Sequence, residues 1–201
     1  MKRLIDAFTF TNPIKIIVIG GVCSGKTTLS KLFGEIGFKH ISIDKFRYQY
    51  SNGTIEGENK AYNEFIKYAN NYENHCIIEC TGLSYRYNEI EKRNAHYVYL
   101  ECEATTAKYR QVERELQGYP LIPFPYQIKE NSFDISNVEF ENKIGFPLDL
   151  MNMYNTDHYT SLEIFADLLI RLGHFDLAKE PKTQKELYKT YKYREYENFI
   201  C

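Results

Sequence analysis

The stretch Gly20-Gly21-Val22-Cys23-Ser24-Gly25-Lys26-Thr27 has the pattern G-x-x-x-x-G-K-[ST], whose backbone N–H groups turn inward on the phosphates of a nucleotide. Gly20 and Gly25 permit the positive φ angles and the close approach that a side chain would block. Lys26 is predicted to reach the β- and γ-phosphate oxygens, and the Thr27 hydroxyl is predicted to bind Mg²⁺. The predicted nucleotide-binding residues are Gly20, Gly21, Val22, Cys23, Ser24, Gly25, Lys26, Thr27 and Thr28.

The sequence on both sides of this loop supports phosphate binding. Residues 14–19 form a β-branched run that is typical of a buried parallel strand. After the loop, Leu29, Leu32, Phe33 and Ile36 fall on one face of a predicted helix. A glycine-rich turn before an ordinary helix is the alternative, but the order strand, loop, helix favours a nucleotide site.

Length and composition favour one α/β domain. The chain has 201 residues, which suits a domain over residues 1–173 with an insert at about 117–147 and a helical tail over 174–201. A net charge of −2 argues against a general nucleic-acid coat. The five cysteines form no C-x-x-C pair, which indicates a reducing cytoplasm, or the host cytoplasm for a viral protein. No apolar run approaches the roughly 18 residues of a membrane span.

Strands and helices are predicted to alternate along the chain. Strands are expected at 14–19, 40–43, 76–79, 96–102 and 148–154, and helices at 28–36, 58–73, 84–94, 105–116 and 161–172. This alternation predicts a parallel five-stranded sheet covered by helices on both faces, a three-layer α/β fold. Ligands of such sheets bind beyond the carboxyl ends of the strands, where the loop, Asp44 and Glu79 would emerge.

Asp44 and Arg47 are the predicted acceptor-side residues. A hydroxyl acceptor needs a proton acceptor, and a carboxylate at the end of the neighbouring strand is a natural general base. Arg47 has the geometry to bind an acceptor phosphate bidentately. The alternatives are a turn-forming role for Asp44 and a solvated surface charge for Arg47.

Three further groups extend the predicted site. Glu79 is expected to bind Mg²⁺ through water, or else to contact substrate or cap the next turn. Arg110 and Arg114 lie four residues apart on one helical face and are predicted to stabilise transition-state charge; pairing with Glu113 or Glu115 is the alternative. Arg86 is a further candidate on the acceptor side.

Taken in order, these residues resemble the small phosphate-loop kinases. The phosphate loop, Asp44-x-x-Arg47, Glu79-x-Thr81-Gly82 and the helix with the two arginines are most similar to polynucleotide 5′-hydroxyl kinases, zeta-toxin-type kinases and related metabolite kinases. The resemblance covers about residues 14–116, with a looser continuation to 172, and implies a general base at Asp44 and substrate binding by Arg47. Glu79, where many members have Asp, and the long Pro-rich segment depart from the family pattern.

We therefore expect an ATP- and Mg²⁺-dependent kinase that phosphorylates a hydroxyl of a nucleoside, a nucleotide or a nucleic-acid end. A nucleoside monophosphate kinase and a non-catalytic nucleotide-binding module are the alternatives. A guanine switch is disfavoured because Asn142-Lys143-Ile144-Gly145 lacks the Asp of N-K-x-D. Tyr119, Phe124 and Tyr126 would stack a base or form a small core of their own. No membrane partner is expected, and the tail is a candidate surface for a second subunit.

Overall fold

The computed structural model describes residues 13–82, 85–93, 95–119 and 151–172. Almost all of the predicted insert at 117–147 and the whole predicted tail at 174–201 lie outside these residues, so both stay predictions. The chain separates into two compact units, residues 1–157 and 158–201. The domain boundary expected at residue 173 likewise stays a prediction.

A parallel five-stranded sheet forms the centre of the first unit, as the sequence predicts. The strand order is β2-β3-β1-β4-β5, so the loop-bearing strand β1 is central. Every pairing is parallel, with Val18 of β1 opposite Glu79 on one side and Val98 on the other. The strands are β1 (Lys15–Gly20), β2 (Lys39–Ser42), β3 (Cys76–Cys80), β4 (Ala95–Glu101) and β5 (Met151–Asn155).

The helices follow the strands in the order expected of an α/β fold. They are α1 (Lys26–Glu35), α2 (Ile43–Tyr50), α3 (Ile55–Asn71), a 3-10 helix (Tyr85–Glu89), α4 (Ala104–Leu116) and α5 (Ser161–Arg171). Thr160 and Glu163 form a reciprocal capping box at the start of α5, the only helix described in the second unit. Within the described residues, none of the helices combines the length and the apolar character that a bilayer crossing needs.

The buried core of the first unit is rich in aromatic side chains. The ring of Phe65 in α3 lies edge-on to Phe46 of α2 and to Tyr87 of the 3-10 helix. Tyr87 and Phe65 are fully buried, together with Ile17 and Ile78 of the central strands. This packing holds α2 and α3 against the sheet near the carboxyl edge, where the candidate site lies.

Two predictions about local structure near the site need correction. Asp44 lies just past the carboxyl end of β2, as predicted, but β2 ends at Ser42 rather than Ile43; the Ser42 side chain accepts the Asp44 N–H and caps α2, so Asp44 lies in a first helical turn. A 3-10 helix replaces the α-helix expected over 84–94. Ile90 N–H bonds to Tyr87 O, which brings two buried side chains three residues apart into the core.

The start of α3 is also earlier than the sequence indicates. The helix begins at Ile55 rather than 58, because the Thr54 side chain accepts the Gly57 N–H as an N-cap. The turn-rich composition of residues 51–57 indicates a loop over all seven residues, which is why the sequence places the helix start at 58. The earlier start places Glu58 in the first helical turn, close to α2.

Candidate active site

The phosphate loop passes so close to β4 that its first residue must be glycine. A Cβ atom on Gly20 would overlap the Leu100 carbonyl oxygen and lie 2.6 Å from Ser24 Oγ. Gly25, at φ +89°, adopts a left-handed conformation as the N-cap of α1. Both glycines of the motif therefore have a structural requirement, as predicted.

The loop fits a nucleotide polyphosphate. No side chain caps α1 and no acidic residue lies in its first turn, so the helix N-terminus is left open to an anion. Ser24 is only 1% exposed, and among the described residues its Oγ has no hydrogen-bond partner. A buried orphan hydroxyl beside an uncapped helix N-terminus is what a bound phosphate would satisfy. Gly21 and Val22 are half-buried, and Thr28 is exposed.

Lys26 folds back over the loop. Its Nζ donates hydrogen bonds to the carbonyl oxygens of Gly20, at 3.1 Å, and Gly21. Burial lowers the pKa of Lys26, while the negative charges of Glu79 and Asp44 oppose that effect. The ammonium group is thus placed where both carboxylates and the loop meet.

Glu79 is held from three directions. Its Oε1 accepts from the hydroxyls of Thr27 at 2.9 Å and Ser42 at 3.0 Å. Its Oε2 lies 2.7 Å from His40 Nε2. Burial works to raise the pKa of Glu79, but the His40 contact, the charge of Lys26 and the Thr27 hydrogen bond outweigh it, so the pKa is lowered. Glu79 is therefore an ionised carboxylate although it is only 4% exposed.

The predicted magnesium ligands lie in contact with each other. Thr27 offers a hydroxyl oxygen and Glu79 a carboxylate oxygen, and hard oxygen donors of this kind suit Mg²⁺. Protein sites for Mg²⁺ commonly supply one or two side chains and leave the remaining positions to water and substrate phosphates. The donor set therefore fits the ion; Thr27 as the direct ligand and Glu79 binding through water stay predictions.

Asp44 and Arg47 contact each other one helical turn apart on α2. Arg47 Nη1 donates to Asp44 Oδ1 at 2.9 Å, and 36% of the Asp44 side chain is exposed. Arg47 itself is buried, and its Nε and Nη2 bind both carboxylate oxygens of Glu58 on α3. The charge is maintained because the Glu58 hydrogen bonds overcome the effect of burial and raise the pKa of Arg47.

The alternative that Arg47 is a solvated surface charge is wrong, since the side chain is buried and paired. The bidentate geometry expected toward an acceptor phosphate is directed at Glu58 in this structure. Substrate binding by Arg47 stays a prediction.

Arg86 and Arg47 both lie close to the ring of Tyr62. Its guanidinium donates to Asn59 O and Asn63 Oδ1 of α3 and lies 5.4 Å from the centroid of the Tyr62 ring. The guanidinium of Arg47 lies 5.5 Å from the same centroid. The two predicted acceptor-side arginines therefore meet at Tyr62.

Arg110 and Arg114 both reach the phosphate loop from α4. Arg110 Nη1 donates to Cys23 O at 3.2 Å, and its two terminal nitrogens also bind Thr156 Oγ1 and O after β5. Arg114 Nη1 lies 3.8 Å from Cys23 Sγ, and its guanidinium lies over the Tyr119 ring. Both arginines therefore lie beside the loop; the predicted stabilisation of transition-state charge by the pair stays a prediction.

Tyr48 lies beside Asp44 on α2. It follows Asp44 by four residues on α2, hence on one helical face, and is 48% exposed. Burial and then the Asp44 charge raise the pKa of Tyr48, while Arg114 lowers it. An aromatic ring thus lies within electrostatic range of both the predicted base and an arginine over the loop.

Sequence reasoning did not identify His40, Ser42, Tyr48 or Glu58 as members of the site. A weak signal existed for the first two: His40 and Ser42 alternate on one face of a strand that neighbours β3. Glu58 gives no signal, since an acidic residue in a first helical turn is ordinarily a surface charge.

Solved structures share this fold. Shikimate kinase from Bacteroides thetaiotaomicron matches with a TM-score of 0.57 at 16% identity, covering 80% of this chain and 98% of that chain. A gluconokinase from Sinorhizobium meliloti 1021 matches at 0.54 and 14%, covering 89% and 97%. Deoxyadenosine kinase from M. mycoides with bound dATP matches at 0.50 and 16%, covering 80% and 100%.

At these identities the matches show the phosphate-loop kinase fold alone. No protein-family model matches this sequence, and no curated protein sequence matches it.

Proposed function

We propose that this chain is an ATP- and Mg²⁺-dependent kinase that transfers the γ-phosphoryl group of ATP to a hydroxyl of a nucleoside, a nucleotide or a nucleic-acid end. The observation that carries the proposal is the position of Lys26. Its ammonium lies on the phosphate loop, and the charges of both Glu79 and Asp44 act on it. The phosphate loop and the part-exposed carboxylate of Asp44 therefore lie at the same edge of the sheet.

The donor half binds and orients the triphosphate. The loop amides, Lys26 and the open N-terminus of α1 supply positive potential for the β- and γ-phosphates. Mg²⁺ bound at Thr27 would neutralise charge on the same phosphates. Arg110 and Arg114, which contact Cys23 of the loop, add cationic groups beside the transferred phosphoryl group.

The acceptor half supplies the base. Asp44 accepts the proton of the acceptor hydroxyl as that oxygen bonds to the γ-phosphorus and the bond from phosphorus to the bridging oxygen of ADP breaks. Arg47 occupies one Asp44 oxygen, which fixes the carboxylate while part of it stays exposed to an acceptor. The products are a phosphate ester, ADP and one proton.

The exposed aromatic rings beside Asp44 and Arg114 favour a nucleotide-type acceptor. Tyr48 presents a half-exposed ring on the same helical face as Asp44, and Tyr119 presents another next to Arg114. Stacking of a base on an aromatic side chain contributes about 1–3 kcal/mol and tolerates any base. A sugar acid or a cyclic polyol without an aromatic ring would not use these side chains.

The first test is Asp44→Asn, measured with ATP and a panel of nucleosides, 5′-hydroxyl oligonucleotides and nucleoside monophosphates. Loss of the base is expected to lower kcat for hydroxyl acceptors by about 10²–10⁴-fold while the Kd for ATP stays near that of the wild type. Asp157→Asn is the matched control, because Asp157 is an exposed acid at the same edge whose carboxylate accepts a backbone N–H of Glu103.

Full activity of Asp44→Asn on a hydroxyl acceptor would contradict the assignment of the base. The nucleoside monophosphate kinase alternative predicts a different pattern: AMP, CMP, GMP or UMP would be the preferred acceptor, and Asp44→Asn would cost little, since a phosphate acceptor is already an anion. The panel therefore separates the two reactions.

A further inference from the structure

His40 and Ser42 face Glu79 together. In the parallel pairing of β2 with β3, Ser42 lies directly opposite Glu79, and His40 lies opposite Ile77, two residues earlier. Side chains two residues apart in a strand point to the same face of the sheet. The geometry of the edge strand thus brings an imidazole and a hydroxyl to one buried carboxylate.

The contacts of His40 define the direction of its hydrogen bond. Its Nδ1 lies 3.4 Å from Lys45 Nζ, an ammonium that can only donate, so Nδ1 acts as the acceptor. Nε2 then carries the proton and donates it to Glu79 Oε2, 2.7 Å away. The His40 side chain is 12% exposed and that of Glu79 is 6% exposed, so water has little access to replace this donor.

Glu79, held in this way, constrains the hydroxyl group of Thr27. The Thr27 hydroxyl donates its proton to Glu79 Oε1 at 2.9 Å, which leaves the oxygen lone pairs to point elsewhere. Thr27 is the second residue of α1 and lies beside the loop, so the lone pairs remain for a metal ion. The position of the Glu79 carboxylate therefore sets the orientation of the Thr27 hydroxyl.

We propose that His40 is a positioning residue of the nucleotide site, which holds Glu79 so that the Thr27 hydroxyl presents its lone pairs to a magnesium nucleotide. The inference rests on the proposed function, because it assumes that a magnesium nucleotide binds at the loop. Hydrogen-bond partners behind a metal ligand commonly change metal affinity by about 10–100-fold when they are removed. Two hydrogen bonds, His40 to Glu79 and Thr27 to Glu79, separate His40 from Thr27, the proposed ligand, so His40 acts only through Glu79.

The experiment measures the Kd of ADP by calorimetry with Mg²⁺ and with EDTA, in wild-type protein, His40→Ala and His40→Gln. The ratio of the two dissociation constants reports how much Mg²⁺ strengthens nucleotide binding. His40→Ala is expected to lower that ratio by about 10-fold or more, with the Kd in EDTA unchanged. His40→Gln should recover most of the ratio, since its amide N–H can replace the Nε2 donor.

His96→Ala is the matched control, a histidine at the exposed start of β4, away from the loop. It is expected to leave the ratio unchanged. The unfolding temperature of each variant is measured alongside, and the Kd values are compared only below it; if His40→Ala is unfolded, the ratio in His40→Gln must remain near wild type.

Two outcomes would overturn the inference. If His40→Ala retains the wild-type ratio, or loses affinity equally with Mg²⁺ and with EDTA, His40 only stabilises the fold. If the wild-type protein shows no strengthening of ADP binding by Mg²⁺, the proposed function fails and the role of His40 fails with it. The first result leaves the proposed function intact, so the two failures are distinguishable.

Discussion

The two halves of the candidate site are built differently. The donor half consists of the loop amides, Lys26, Thr27, the α4 arginines that contact the loop, and one buried carboxylate, Glu79, held by three donors. The acceptor half is carried by the short helix α2, where Asp44 and Tyr48 are part-exposed, and the buried Arg47 and the Phe46 ring connect this helix to α3. The carboxylate of the donor half is thus buried and held by short contacts, whereas that of the acceptor half is part-exposed and held by Arg47.

This difference has a functional meaning for a kinase. Every such enzyme must bind the same triphosphate, so a fixed donor cradle suits any acceptor. The acceptor surface distinguishes one substrate from another, and the proposed acceptor residues Asp44, Arg47 and Tyr48 lie on one helix. Changes to the two halves should therefore be separable in experiment.

The largest effect is expected for Glu58→Ala. Arg47 is 7% exposed, and removal of Glu58 takes away the carboxylate that binds its Nε and Nη2, although the ion pair with the part-exposed Asp44 remains. Breaking a buried pair in this way costs about 3–5 kcal/mol of the free energy of unfolding. Urea denaturation measures that loss, and kcat/KM for the acceptor should fall as well because Arg47 no longer fixes Asp44.

Glu56→Ala is the control for this prediction. Glu56 lies in the same first turn of α3 but is exposed, so its removal costs only the helix-dipole contribution of about 0.3–1 kcal/mol. Equal destabilisation by the two substitutions would show that the Arg47 pair contributes nothing beyond the charge of the helix turn. The Kd for ATP should stay near the wild-type value in whatever fraction of Glu58→Ala remains folded.

Lys26→Ala tests the donor half and is expected to have the next largest effect. Removing one preorganised charge from the transferred phosphoryl group typically lowers kcat by about 10²–10³-fold. Turnover of labelled ATP with the acceptor panel measures it, and Lys31→Ala, an exposed lysine on the same helix, is the control. Wild-type turnover in Lys26→Ala would exclude catalysis at this loop, and absence of any turnover in the wild type would favour a non-catalytic nucleotide-binding module.

The donor half could be predicted from the sequence because its parts are contiguous. Gly20, Gly25, Lys26 and Thr27 fall within eight residues, and the strand and helix beside them follow simple periodicities. The five-stranded parallel sheet follows from the same alternation. Arg110 is predicted from its helical spacing to stabilise transition-state charge; that role stays a prediction, but its guanidinium contacts Cys23 of the loop, 87 residues away.

The acceptor half could not be predicted in the same detail because its decisive contacts depend on packing. The sequence predicts that Arg47 is available to bind an acceptor phosphate or is a solvated surface charge. Only the approach of α3 to α2 buries it against Glu58. The early end of β2 depends on one Ser42 hydrogen bond to Asp44 N, which competes with continuation of the strand. The sequence does not indicate that His40 belongs to the site, because its partner Glu79 is 39 residues away.

The smallest effect concerns the acceptor and tests the comparison most directly. Tyr48→Ala removes the half-exposed ring beside Asp44 and is expected to cost about 1–3 kcal/mol of affinity for a nucleoside acceptor, measured as a higher KM with little change in the Kd for ATP. Tyr48→Phe keeps the ring and should bind the acceptor nearly as well as the wild type.

Tyr109→Ala removes a comparably exposed tyrosine from α4 and is the control. If Tyr48→Ala leaves the KM of every nucleoside unchanged, the ring is not a stacking surface and the argument for an aromatic acceptor is lost. If it instead raises the Kd for ATP, the two halves are not separable, because a side chain of α2 would then contribute to the donor site. The phosphate loop and helix α2 would then have to be treated as one binding surface. The class of acceptor would have to be inferred from the side chains of both.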